Sequence, residues 1–181
     1  MGLAGRYAAA GLAAVGVGAA VFISPAFTSP ASGGAAQSAS VFSASFTHPR
    51  SNPYFPLTPG LVLDYRGTDG PAKFHERVAV THETKTIQGV EAIVVRDVLR
   101  RADGTVAEAT RDWYADDDSG NVWYLGEATA TYDRHGRVES REGSWQAGTR
   151  GATAGMIMPS SPKPSDAYRQ EYWRGHAEDQ A

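Results

Sequence analysis

From about residue 61 onward, apolar and polar side chains alternate with a period of two, in runs broken by Asp-Gly and Gly-centred pairs. Alternation of that period marks half-buried strands, and short Gly- or Asp-containing breaks mark hairpin turns. The runs predict strands over 61–67, 73–87, 90–101, 105–115, 121–127, 128–133 and 137–142, the last leading into 143–148. Nearly every break is two to five residues long, so neighbours should pair antiparallel as a meander. No segment past residue 48 carries a helical period, and no repeat of fixed length stands out. The expected fold is all-β: a curved antiparallel meander, half-barrel or open barrel, incomplete at its C-terminal side.

Parity assigns the faces. In 73–87, Phe74, Glu76, Val78, Val80, His82 and Thr84 share one side, which reads as the core side although it holds Glu76 and His82. Lys73, His75, Arg77, Thr81, Glu83 and Lys85 share the solvent side. In 105–115, Tyr114 falls with Val106 and Asp112, and Trp113 with Ala107, Ala109 and Arg111. Both sets mix apolar and charged groups, which fits a curved sheet with one packed and one half-sheltered side.

Three stretches break the rhythm. Residues 52–60 contain three prolines, which forbid a helix or a central strand, yet Tyr54, Phe55 and Leu57 are too apolar for a free loop. An extended segment plugging one end of the sheet is expected there. Residues 148–164 lack pattern, and Met156-Ile157-Met158 reads as an apolar anchor within a loop. Residues 166–173 read as a last strand, with Tyr168, Gln170 and Tyr172 on one side and an edge in want of a partner.

Ahead of the sheet the composition changes. Arg6 is the only charge in the first 47 residues, and an uncharged run over 7–23 precedes small residues and prolines. Basic start, apolar run and small-residue region form a secretion signal over 1–31, with cleavage expected after Ala26 or Ala31. The alternative is an uncleaved anchor, since 17 residues just reach the lower limit of a membrane span. Residues 32–47 read as a flexible Ser/Ala/Gly linker, and 48–181 as the β-rich domain. The protein is therefore expected to be secreted or extracytoplasmic, or held at the membrane through 7–23.

Setting Arg6 aside leaves 16 of the 17 Lys and Arg against 20 Asp and Glu, so the remainder is mildly acidic. That balance argues against nucleic acid and against an electrostatic grip on anionic membranes. The absence of cysteine excludes disulfides, thiolate metal sites and cysteine nucleophiles.

Several segments carry a resemblance. The start Asn52-Pro53-Tyr54-Phe55-Pro56-Leu57, running to Tyr65, is one. Asp112-Trp113-Tyr114-Ala115 through Trp123-Tyr124 is another, and Gly143-Ser144-Trp145 through Ile157-Met158-Pro159 a third, continued by Tyr168-Arg169-Gln170-Glu171-Tyr172. Together they resemble a group of exported, actinobacterial-type proteins of unassigned function, over nearly all of 51–181. Members of that group run on past this point with more strands. At the level of fold, the expected sheet is also similar to half-barrels that carry lipids or lipoproteins.

Candidate chemistry is sparse. Asp116 and Asp118 alternate ahead of Gly120, with Glu127 further on, an oxygen-rich arrangement of the kind that takes calcium. The twelve-residue loop frame is missing, and the same residues serve an ordinary hairpin turn. No other cofactor is implied. His75 and His82 point to opposite faces, and no zinc-protease spacing, phosphate loop or nucleophile elbow occurs. Glu76 and His82 on the packed side could bind a ligand head group or act as acid and base, with Arg96, Arg111 and Asp112 as partners. An internal ion pair is the plainer account. Four tryptophans and eight tyrosines either fill the core or line a cleft. On the second reading Trp113, Trp123, Tyr124 and Tyr132, with Glu76 and His82, hold an apolar or amphipathic ligand. Three functions follow: a secreted non-enzymatic binding module, a cell-envelope assembly protein that completes its sheet with a partner, or an enzyme using Glu76 with His82.

Overall fold

Nine strands and no helix make up the described residues, 44–181, of the computed structural model. They are β1 (Val62–Asp69), β2 (Ala72–Ile87), β3 (Val90–Arg101), β4 (Val106–Asp116), β5 (Val122–Tyr132), β6 (Val138–Ser140), β7 (Trp145–Gln146), β8 (Thr153–Met158) and β9 (Glu171–Tyr172). All pairs are antiparallel, in the order β1-β2-β3-β4-β5-β8-β9, with β6 and β7 also paired to β5. The sheet curls into a half-barrel that stays open between its edges. The expected secretion signal, the anchor and the linker as far as residue 43 lie outside the described residues. Within 44–181, no helix is long and apolar enough to cross a membrane.

The hairpins form where Gly-containing turns were expected, because glycine reaches the positive φ these turns need, as Gly70 and Gly104 do. The predicted runs 121–127 and 128–133 are one strand, β5, carrying a bulge at Gly126. Gly126 has φ +135°, and a Cβ there would meet the Trp145 carbonyl oxygen at 2.4 Å. The missing side chain lets β7 cross close to β5.

Residues 44–60 close one end. Asn52, 1 % exposed, acts as the latch. Its Oδ1 accepts the backbone N–H of Tyr54 at 2.8 Å and of Phe55 at 3.1 Å, while Nδ2 donates to the carbonyls of Gly120 at 2.8 Å and Pro159 at 3.0 Å. Phe55 and Leu57 are thereby buried, and Phe55 packs edge-on against Tyr114 with ring centroids 5.1 Å apart. Ordered packing begins before residue 48: Ala44 and Phe46 rest on the core. Ser45, Thr47 and the His48 N–H all bond the Asp118 carboxylate. The end of the expected linker is thus docked.

Other expectations need correction. Residues 153–158 are the strand β8 rather than a loop anchor, paired through Met156 with Trp123 of β5. Its centre is Gly155, where a Cβ would meet the Arg169 and Gln170 carbonyl oxygens at 2.4 Å. Glycine there hid the alternation. Of the expected strand 166–173 only Glu171–Tyr172 is regular, and its edge is covered by the chain itself. Tyr168 and Ala181 exchange two backbone hydrogen bonds of 3.0 Å, and the Gln170 N–H donates to Asp179 at 2.9 Å.

In β2 the core side changes midway. Val78 and Val80 are buried as expected, but an irregularity between Val80 and Thr84 shifts the phase. Past it Ile87 is buried, while His82 and Thr84 are exposed.

Candidate functional site

Antiparallel register puts opposed residues on the same face. Across the half-barrel this gives one row of Tyr65, Glu76, Leu99, Glu108 and Thr131, and a next row of Leu63, Val78, Asp97, Thr110 and Thr129. A third holds Val80, Val95, Asp112, Glu127 and Trp145. This is the inner face, and β2, β3, β4 and β5 each set at least one carboxylate on it. Glu171 of β9 adds another, acting on Glu127.

Asp97, Glu108, Asp112, Glu127 and Glu171 hold their protons unusually well. Burial, then contact with the Glu76 carboxyl and its charge, and then the charges of Asp112 and Glu108, push Asp97 from 3.8 up to about 9. Burial followed by Asp112, Glu171 and Glu108 pushes Glu127 from 4.5 to about 9. Burial raises Asp112 to about 7, although the Tyr124 hydroxyl donates to it at 2.7 Å. Glu171 is likewise raised to about 7, by burial and then by Asp179, and Glu108 is raised by burial and Glu76. The charges that raise these groups are all carboxylates, and none of the five joins an ion pair among the described residues. Carboxylates gathered without a base stay protonated because ionising them together in a sheltered site is costly.

Aromatic side chains close the deep end. Tyr114 and Tyr124 stack at 4.7 Å, and Trp145 meets Tyr124 edge-on at 5.3 Å. Trp145 is 4 % exposed, yet its Nε1 has no hydrogen-bond partner, and neither has Glu171 Oε2. The indole still holds the Glu171 carboxyl down. The two therefore face each other across a gap that no regular hydrogen bond closes. Towards the β1 edge Tyr65 and Glu76 are half-buried, and the depression of about 430 Å3 beside them is lined mainly by the outer-face residues Asp64, Arg66, His75, Arg77, Val98 and Arg100.

The aromatic residues singled out from the sequence do not share a surface. Tyr124 lies on the inner face. Trp113 lies on the outer one, with the Lys85 ammonium 3.2 Å from its ring centroid. Trp123 opposes Ala115 and Met156 and donates its Nε1–H to Asp117 at 2.9 Å. Tyr132 sits at the far end of β5, where its carbonyl accepts from Arg101. Trp113 and Trp123 are core residues, not a cleft.

Glu76 is on the inner face, but His82 lies roughly 18 Å further along β2 at strand spacing and is exposed, so the two cannot work together. Arg96 and Arg111 are on the outer face, both bonded to Glu83.

The acidic turn is similarly resolved. Asp117 is the organiser, accepting from the Ser119 and Asn121 N–H groups, from Asn121 Nδ2 and from Trp123. Asp118 is taken up by Ser45, Thr47 and the His48 N–H, and Asp116, opposite Val122, is roughly 15 Å along the sheet from Glu127. The structure does not bring Asp116, Asp118 and Glu127 together, and among the described residues no group of three His, Asp or Glu is placed to hold a metal ion.

Parity missed Asp97, Glu108 and Glu171. Asp97 shares its phase with Val95 and Leu99, and Glu108 with Asp112, so the signal lay in extending the alternation of β2 to its neighbours. No protein-family model, no curated protein and no solved structure matches the chain.

Proposed function

We propose that the chain is an exported, non-enzymatic binding module whose ligand surface is the inner face of the half-barrel. One observation carries this reading: four neighbouring strands place carboxyl groups on one face of a curl open at its edges, and the charges that act on Asp97, Glu108, Asp112 and Glu127 are carboxylates alone. A closed apolar core has no use for such a row, and burying it without a partner is unfavourable. A ligand bearing positive charge and hydrogen-bond donors would relieve that cost, while the flanking tyrosines and Trp145 suit an apolar body. The ligand is therefore amphipathic and cationic rather than simply apolar. The leader over residues 1–31 supports an extracytoplasmic setting.

Titration with a long-chain primary amine and with the alcohol of equal length, at pH 8, tests this. The amine should bind and raise the melting temperature, and the alcohol should not. The combined change Asp97→Asn and Glu108→Gln should weaken the amine at least tenfold. Equal binding of both, or of neither, would remove the proposal. Native mass spectrometry of the secreted form would show whether such a molecule is carried.

A further inference from the structure

The sheet has two ends, and they are finished differently. At β9 the edge is paired by residues 177–181, through the Trp173–Ala177 and Arg169–Gln180 bridges. At the other end β1 pairs with β2 alone among the described residues. It is eight residues long and contains neither proline nor lysine, two of the usual devices that keep a strand edge from pairing. Alternate backbone N–H and C=O groups of β1 thus face the opening of the curl.

The carboxylate row begins one strand in from that edge. Tyr65 of β1 is opposed by Glu76, and the charges of Glu76 and Asp97 both reach its hydroxyl. Beyond them stand Glu108, Asp112 and Glu127. Trp145 Nε1 and Glu171 Oε2, both unpartnered, mark the far side of the same face. Three features coincide: a free edge, an opening beside it, and an inner face whose central rows carry carboxyls and no base, Arg101 standing one row further out opposite Phe74. Strand addition satisfies the first two, because an extended peptide supplies main-chain hydrogen bonds and turns alternate side chains to each face. Charge complementarity settles which side chains it turns inward.

We propose that a basic extended polypeptide segment completes the half-barrel, adding to the edge of β1 and directing alternate Lys or Arg side chains at the inner carboxylates. This rests on the reading of the inner face as the ligand surface and names its occupant. The paired β9 edge excludes addition there, so docking has a single direction. Its outward-facing residues meet the solvent side of β1, where Asp64 and Arg66 are exposed, and should be polar.

The test uses the full chain and four probes: a ten-residue peptide alternating Arg and Thr, the same peptide with alternate backbone nitrogens methylated, an alternating Glu and Thr peptide, and a free linear polyamine. Calorimetry reads affinity, and amide exchange reads protection of Leu63–Thr68. The Arg peptide is expected to bind at least tenfold tighter than the other three and to slow exchange along β1. Asp97→Asn with Glu108→Gln should remove most of that advantage. Equal binding of the methylated peptide and the polyamine, with β1 exchange unchanged, would overturn strand addition while leaving a cation-binding face in place. Failure of every cationic probe, with no response to the double change, would overturn both.

Discussion

The two faces of the same strands treat charge in opposite ways. On the outer face Arg96 and Arg111 both bond Glu83, and Arg77 lies 3.1 Å from Asp64, with each of these side chains about half exposed or more. On the inner face the carboxyls of β2 to β5 and β9 have one another for neighbours. Water screens the first set, so its pairs contribute little. Shelter and like charge govern the second, so Asp97, Glu108, Asp112, Glu127 and Glu171 keep their protons. One sheet therefore carries a screened outer surface of exposed ion pairs and a sheltered interior that responds to pH.

The largest expected consequence is a loss of stability with rising pH. Asp97 and Glu127 bind protons more tightly folded than unfolded, with values near 9 against 3.8 and 4.5, and Asp112 and Glu171 do so at about 7. For such groups the folded state is fully stable below the unfolded values and weakens as pH climbs through the folded ones. Stability should be greatest near pH 4, fall most steeply up to about pH 7, where all four groups differ between the two states, and go on falling more gently towards 9. Urea unfolding at fixed ionic strength measures it. A flat profile, or a rise with pH, would break the contrast between the faces.

Next in size is Asp97→Asn. Asparagine keeps the shape and cannot ionise, so it should stabilise the fold by about 2 kcal/mol at pH 8 and by almost nothing at pH 4. Destabilisation at pH 8 would mean that the Asp97 charge has a partner. Tyr124→Phe comes third. It removes the donor to the buried Asp112 carboxylate and should cost about 1 kcal/mol at pH 5, and more above pH 7 as Asp112 ionises. A loss that shrinks with pH would show that the hydroxyl serves the neutral acid instead.

Much of this architecture was legible before any coordinates. The 90–101 strand, the hairpin breaks and the plugging role of Phe55 and Leu57 follow from period, glycine and proline, which act locally. What failed did so for reasons of contact between distant segments. Gly155 lacks a side chain because the Arg169–Gln170 backbone lies against it, which removes the alternation that would have announced β8. The β2 irregularity at Val80–Thr84 moved His82 out of the core phase, and no local signal marks it. The carboxylate row was half visible: Glu76 stood out on the packed side with Asp112 among its candidate partners, but only the register across β3 and β5 joins them to Asp97 and Glu127. Reading Trp113 and Trp123 as one cleft ignored their separate partners, Lys85 and Asp117.

The smallest effect is expected outside, at Glu83. Its two carboxylate oxygens each take an arginine, one from β3 and one from β4, which ties three strands together on paper. Yet all three side chains are about half exposed, and long flexible side chains lose entropy when held in one geometry. Glu83→Gln should therefore change stability by less than about 1 kcal/mol, and the change should fade above roughly 0.5 M salt as screening removes what attraction there is. It should also leave the fall in stability between pH 5 and pH 9 as it is, because the substitution does not touch the inner carboxyls. That unchanged profile is the discriminating part. If the Glu83 variant reproduced the pH dependence of Asp97→Asn, the two faces would be coupled through the sheet, and the inner carboxylates could no longer be treated as a separate ligand surface.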